Sequence, residues 1–390
     1  MSLNDDVAYA MTPFKLLTLP LGVWPLQKYN AFSLVRFIVC IFSLTVLMIM
    51  LFLEINFGSS DAYVKLDALM VMFCAVLSIL KLLSFRLYAD NLICNFSSAV
   101  TDYHAIDNEE KRTIMRQHAF MGRMIFYSIL FFAYVASSIF VLTPMIAGNK
   151  DVQVNLSIKS QAAQLPLPMT WTLKESNIST NLFLLISAVQ YFLMVLNSTS
   201  DCGGDAVFLA IVLHVCGQIE LLKIDFINYG VNNQRGDISK LTSRHSYLIK
   251  HAKLLVEVIS SVLLVQVLFS CLIISLIGFQ LILALKSHDV IMITKTITVL
   301  SALLLQLFFF CFVGDYLKCQ MEDIADSIYN SNWYFLSTKL MRNVLFVIMR
   351  SQKPVQLLAG NFFLVNIKTF MNILKSSLSY LSVLRVMVDA

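Results

Sequence analysis

Read for its apolar and polar positions, the chain is a series of long apolar runs separated by shorter polar ones. The runs fall at 32–53, 68–88, 124–147, 182–222, 254–285, 290–313 and 362–388. A helix needs about 20 apolar residues to cross the hydrocarbon layer, so the pattern predicts seven membrane spans, one to seven in chain order. Span four is interrupted by SDCGGD (200–205). A hairpin there would leave two short halves, and one long helix with its polar middle facing other helices is the simpler reading. Span five is over-long, as expected of a helix that tilts or projects from the bilayer.

Between spans six and seven the period changes. In the segment 314–363, Leu317, Met321, Ile324 and Ile328 share one helical face, and Leu340, Val344, Val347 and Ile348 another. Asn330, Ser331 and Asn332 form a turn signal between them. Two amphipathic helices follow from this spacing. Their apolar faces either pack within the chain or meet those of other subunits, where Trp333, Tyr334 and Phe335 would supply aromatic anchors.

Composition agrees with the pattern. Of 390 residues, 58% are hydrophobic and 14% charged, against roughly 25% charged in soluble domains. The mean hydropathy is +0.75. The reading is an all-α integral membrane protein. The net charge of +5 comes without a dense basic stripe, which argues against nucleic acid. No signal peptide is read, so span one would direct insertion. With the N-terminus cytoplasmic, 20 of the 29 Lys and Arg residues lie in inner segments and six in outer ones. That bias favours N-terminus in and C-terminus out.

The glycosylation sequons at Asn155 and Asn177 then fall in an outer loop, whereas all eight cysteines lie in spans or inner segments. No extracellular disulfide is expected. No metal-ligand spacing, phosphate-binding loop or catalytic His arrangement is present, so no cofactor, metal or enzymatic activity is expected.

Span seven has a divided face. At helical steps, Asn372, Ser376, Ser379, Val383 and Val386 line up, with Met387 beside Val386. The face is polar first and apolar last. Copies around an axis would give a wettable vestibule closed by a valine collar, which gates by dewetting. Serines in a membrane helix also serve close packing or bond to their own backbone, and the pattern alone leaves both readings open.

GVWP (22–25), SNWY (331–334), MRSQKPVQLLAGNFF (349–363) and FMNILKSSLSYLSVLRVM (370–387) carry a family likeness. Through them the chain resembles the insect odorant receptors, most closely the hymenopteran kind, and a ligand-tuning subunit rather than the co-receptor. The resemblance implies a subunit of an odorant-gated cation channel, assembled as a tetramer with the shared odorant co-receptor (Orco). It would lie in the plasma membrane of an olfactory neuron dendrite. It implies three parts: residues 1–313 as a six-helix ligand-binding bundle, 314–363 as a cytosolic helical anchor, and 364–390 as the pore-lining last helix. Matched onto the closing motif, the gate falls on Val383, with Val386 and Met387 outward and Ser379 and Ser376 below. Where the co-receptor carries glutamine, this chain has Val386.

The odorant pocket implied by the family occupies the outer half of spans two, three, four and six. Candidates there are Met70, Phe73 and Leu77; Ala133, Ala136, Ser137 and Phe140; Ser187, Tyr191, Met194, Val195 and Ser198; and Thr296, Leu300 and Leu303. This lining is apolar with a few hydroxyls and no charge, and suits a small hydrophobic volatile. A gustatory-type receptor of the same superfamily and a G-protein-coupled receptor are the alternatives, the latter requiring the opposite topology.

Overall fold

A computed structural model of the chain describes residues 3–58, 62–106, 108–151, 167, 180–228, 238–288, 290–360 and 362–389, with no side-chain description for residues 3–4, 143–151, 180 and 384–389. At its centre stands one helix, α6 (Thr180–Ile227), following α1 (Leu3–Thr18), α2 (Ala31–Phe57), α3 (Ala62–Leu87), α4 (Ala89–His104) and α5 (Glu109–Asp151). After α6 come α7 (Ile238–Ser287), α8 (Val290–Tyr329), a 3-10 turn (Trp333–Phe335), α9 (Thr338–Ser351), strands β1 (Leu358–Ala359) and β2 (Phe363–Leu364), and α10 (Ile367–Asp389).

Six helices, α2, α3, α5, α6, α7 and α8, are long and apolar enough among the described residues to cross a membrane. This makes the chain a multi-pass membrane protein. The seventh expected span corresponds to α10, part of whose side chains fall outside the description.

SDCGGD does not break span four. It lies inside the continuous α6, and its glycines serve packing. A Cβ on Gly204 would sit 3.0 Å from the Phe85 ring of α3, so the missing side chain sets the spacing between the two helices. Of the most apolar stretch of α6, 78% is buried, against 28–50% in the other spans. That difference makes α6 the hub around which α3, α5, α7 and α8 pack.

The helices extend past the apolar runs. α5, α6, α7 and α8 have 43, 48, 50 and 40 residues, well beyond the length a bilayer requires. Their extensions gather at one end with α1, α4 and α9, here called the basal end; the other is the apical end. Ion pairs hold the basal end together. Asp6 of α1, 3% exposed, receives Arg112 and Arg116 of α5, the latter at 2.7 Å. Lys111 of α5 pairs with Asp225 of α6. All eight cysteines are free.

The segment after span six forms the expected pair of amphipathic elements, with one difference. The first is not separate: α8 runs unbroken to Tyr329. Leu317, Met321, Ile324 and Ile328 are buried along it, and α9 buries Val344 and Val347. A strap follows, in which β1 and β2 pair antiparallel, Leu358 opposite Leu364. Gly360 turns it at φ +58°, and its N–H donates to the Ser260 carbonyl of α7 at 2.8 Å. A Cβ there would lie 2.5 Å from Leu264. Both the positive φ and the close approach require glycine.

Two outcomes follow from the basal packing. Gly360→Val is expected to cost about 1–3 kcal/mol by overpacking, read as a lower Tm of the purified protein. His245 of α7 shares a cleft with Arg350 of α9. Burial first, and the Arg350 charge second, hold its imidazole down to about 4 from an ordinary 6.5. The unfolded chain therefore takes up this proton first, so the contribution is complete above about pH 6.5 and declines as pH falls towards about 4. His245→Gln should flatten that part of a Tm-against-pH profile.

Candidate functional site

Between the upper halves of α3, α5, α6, α7 and α8 lies a cavity of about 110 Å³. Its wall includes Met70 of α3, Ala133, Ala136, Ser137 and Phe140 of α5, Met194 and Ser198 of α6, and Leu303 of α8. Eight of the fifteen candidates for ligand contact thus meet at one place. The others stand elsewhere. Leu77 and Thr296 are buried outside the lining, and Ser187 is buried with no hydrogen-bond partner for its hydroxyl among the described residues. Phe73 packs on Phe269 at 5.4 Å between ring centroids. Leu300 packs against the core. Val195 accepts the Thr199 hydroxyl on its carbonyl. Tyr191 is 42% exposed and meets Ser138 through its hydroxyl at 3.3 Å. On α6 the lining keeps Met194 and Ser198 and continues towards the basal end through Asn197, Asp201 and Cys202, whereas Ser187 and Tyr191 stand one to two turns nearer the apical end.

The lining also holds residues the sequence reading did not select. α7, the fifth span, contributes Ile273, and α6 and α8 contribute Asn197, Asp201, Cys202 and Gln306. The cavity is therefore not free of charge. Its floor belongs to a buried ion cluster. Lys81 of α3, 1% exposed, places Nζ 2.6 Å from Asp201 Oδ1 and 2.8 Å from Asp205 Oδ2. Gln306 Nε2 of α8 donates to Asp201 Oδ2 at 2.9 Å and to Asp205 Oδ2 at 2.5 Å. Three helices are joined by one set of charge-assisted bonds, the strong kind. The available signal was the presence of Lys81, Asp201 and Asp205 inside apolar runs, since an ionisable residue at membrane depth faces the bundle interior or a partner.

A second polar group stands above the cavity. Asp67 of α3 pairs with Lys295 at the start of α8 and accepts from Gln280 of α7 at 2.6 Å. The Lys295 ammonium lies 4.1 Å from the centre of the Phe140 ring, a cation–π contact on a residue that lines the cavity. Leu167 is held to α6 by the Gln190 side chain: Gln190 Nε2 donates to its carbonyl at 2.9 Å, and its N–H donates to Gln190 Oε1 at 3.0 Å. This places Leu167 in the apolar cluster of Met70, Phe140 and Met194.

On α10, Ile373 and Ser377 are buried, and a Cβ on Gly278 of α7 would come within 2.8 Å of Leu381. The helix is thus seated on α7 by the face through Ile373, Ser377 and Leu381. The candidate gate face points elsewhere: Asn372, Ser376, Ser379 and Val383 are exposed, Val383 by 60%. The Val386 and Met387 side chains lie outside the described residues, as do Asn155 and Asn177. At the basal end Trp333 is partly buried against the core, while Tyr334 and Phe335 are 56% and 79% exposed.

Six membrane-length helices packed around a buried chamber define a polytopic helical membrane protein. The model of the family described as 7tm Odorant receptor matches residues 63–378, and the chain belongs to that family. Odorant receptor 10 of Aedes albopictus is 22% identical over 355 residues, covering 89% of this chain and 91% of the relative. Odorant receptor 2a of Drosophila melanogaster is 32% identical over 89 residues, which span only 22% of that relative's length and 23% of this chain. The solved structure of the insect olfactory receptor OR5 from Machilis hrabei in complex with eugenol matches with a TM-score of 0.80 at 14% identity, over 98% of this chain and 100% of that one. The fold is that of an insect odorant receptor, and both family and fold belong to receptors rather than enzymes.

The ion cluster yields a stability test. Lys81→Met leaves two buried carboxylates without their cation, and breaking a buried pair from one side costs about 3–5 kcal/mol. A large fall in Tm, or loss of the folded protein, is expected. Adding Asp205→Asn to Lys81→Met should recover part of the loss, and a purely additive double mutant would show that the two residues do not interact.

Proposed function

We propose that the chain is the ligand-tuning subunit of an odorant-gated, non-selective cation channel, completed by the odorant co-receptor in a tetramer. The observation that carries this reading is the exposed serine–valine face of α10 in a chain whose family match runs into that helix, over residues 63–378. A membrane helix seated by one face and polar on another has a use for that second face if it lines water. The 20-to-6 distribution of Lys and Arg supports a cytoplasmic basal end and an extracellular C-terminus. α10 then counts as the seventh span, and Asn155 and Asn177 face outward as glycosylation sites. The gate lies at Val383, with Val386 and Met387 beyond it.

The basal end serves as the cytosolic anchor, spanning 314–363. Its exposed apolar residues, Tyr334, Phe335, Leu345, Phe346 and Met349, offer a surface for neighbouring subunits. The cavity serves as the odorant pocket. Its volume is somewhat below the about 150 Å³ that accommodates benzene in an engineered core, so the ligand is small. Each buried methylene contributes about 0.8 kcal/mol. Binding favours the conformation in which α8 and α10 open the collar, and the response is limited by the difference in affinity between the two conformations.

Cells expressing the chain with the co-receptor should pass odorant-evoked cation current, with the N-terminus inaccessible from outside. In Val383→Cys complexes, a bulky extracellular thiol reagent is expected to reduce that current by about half or more, with the unsubstituted chain as control. Unchanged current in a responsive, labelled complex removes Val383 from the pore. An N-terminus exposed to the medium removes the topology, and with it favours the G-protein-coupled alternative.

A further inference from the structure

Hydrogen-bond counting at the cavity floor leaves acceptors in excess. Lys81 Nζ carries three protons and has three acceptors: Asp201 Oδ1 at 2.6 Å, Asp205 Oδ2 at 2.8 Å and the Asp201 carbonyl at 3.3 Å. Both hydrogens of Gln306 Nε2 go to the two aspartates. Ser137 donates to the Ala133 carbonyl at 2.8 Å, so the Ser198 hydroxyl, 2.6 Å away, donates to Ser137. The strong donors of the floor are engaged within the protein. Lone pairs remain on the Asp201 carboxylate, which accepts two side-chain bonds where about four sites exist, and on the Ser198 oxygen.

Asn197 supplies the exception. Its Oδ1 accepts the Ser78 hydroxyl at 2.9 Å, which leaves its amide nitrogen to donate. Charge points the same way as the lone pairs. Within the cluster, one ammonium faces two carboxylates, and the Asp201 carboxylate borders the cavity. A ligand head that can only accept a hydrogen bond meets negative charge there. A hydroxyl does not: it donates to Asp201 and accepts from Asn197.

We propose that this cavity selects small alcohols and phenols, with the hydroxyl seated between Asp201 and Asn197 and the hydrocarbon part against Met70, Phe140 and Leu303. The inference rests on the reading of the cavity as the odorant pocket and adds the polar head to it. Asp201 and Asn197 are then the specificity-determining residues. Burial of a hydroxyl against a carboxylate also gives discrimination that apolar packing cannot, because a ligand lacking the proton leaves a buried acceptor unmatched.

The test uses two isomers of one formula, hexan-1-ol and dipropyl ether, which differ in whether they donate. Binding of radiolabelled hexan-1-ol to the full-length chain in lipid nanodiscs is measured, with each isomer as competitor. Hexan-1-ol should compete at about tenfold lower concentration than the ether. Asp201→Asn keeps Lys81 paired with Asp205 and Gln306 bonded to it, and should bring the two isomers to near equality. Asn197→Leu leaves the ion cluster intact, and Ser78 keeps the Asn197 and Cys74 backbone carbonyls as acceptors. It should weaken hexan-1-ol several-fold and the ether little, and it serves if Asp201→Asn fails to fold.

Equal competition by the isomers, an unchanged ratio in a folded variant, or no hexan-1-ol binding at millimolar concentration overturns the proposal. Currents recorded with the co-receptor separate the two levels. Isomer-selective binding without any evoked current refutes the channel reading and sustains this one. Currents evoked equally by both isomers do the reverse.

Discussion

The architecture turns on one lysine. Lys81 is buried at membrane depth between Asp201 and Asp205, and an ionised amine there is tolerable only if its charge and all of its protons are matched. The match needs α3, α6 and α8 at fixed rotation and height. Gly204 lets α3 approach α6 closely through Phe85, and Gln306 brings in α8. The cavity lies above this knot, where small residues of α5 such as Ala133, Ala136 and Ser137 face inward. Site and scaffold are thus parts of the same set of contacts.

Much of the layout was legible in the sequence, because membrane spans obey a strong rule: apolar length. Six of the seven runs reappear as helices of spanning length. The inward residues of the segment after span six were legible for a similar reason, since a 3.6-residue period reports directly which side of a helix is covered. The cavity was only half legible. The lower half of α6 is buried on nearly every side, so apolar pattern marks no preferred face there, and the polar residues that line the cavity, Asn197, Ser198 and Asp201, lie where that half begins. The ion cluster was invisible as a cluster. Lys81 is 120 positions from Asp201, and Gln306 is 105 positions further on, and hydropathy ranks Lys81 as a span end and SDCGGD as an interruption. Only pairing in space turns those liabilities into a site.

Polar groups bracket the cavity at both levels. Above it, Asp67, Lys295 and Gln280 tie α3, α7 and α8. Below it, Lys81, Asp201, Asp205 and Gln306 tie α3, α6 and α8. Two helices, α3 and α8, belong to both groups, whereas α5 reaches the cavity mainly through small and aromatic side chains. The walls therefore differ in how they are held: α3 and α8 are pinned twice by ion pairs and hydrogen bonds, and α5 meets the upper group through the Lys295–Phe140 cation–π contact.

α8 also has an unbroken length from the chamber to the basal turn. From Gln306 to Tyr329 it is one helix, about 34 Å at 1.5 Å per residue. On the way, Phe308 touches Phe370 of α10 with ring centroids 5.7 Å apart. Such a rod amplifies. A tilt of about two degrees at Gln306 displaces its far end by about 1 Å, the order of shift at which packed interfaces change state. On the proposed reading, a small odorant in the chamber would act through a lever arm several times its own length.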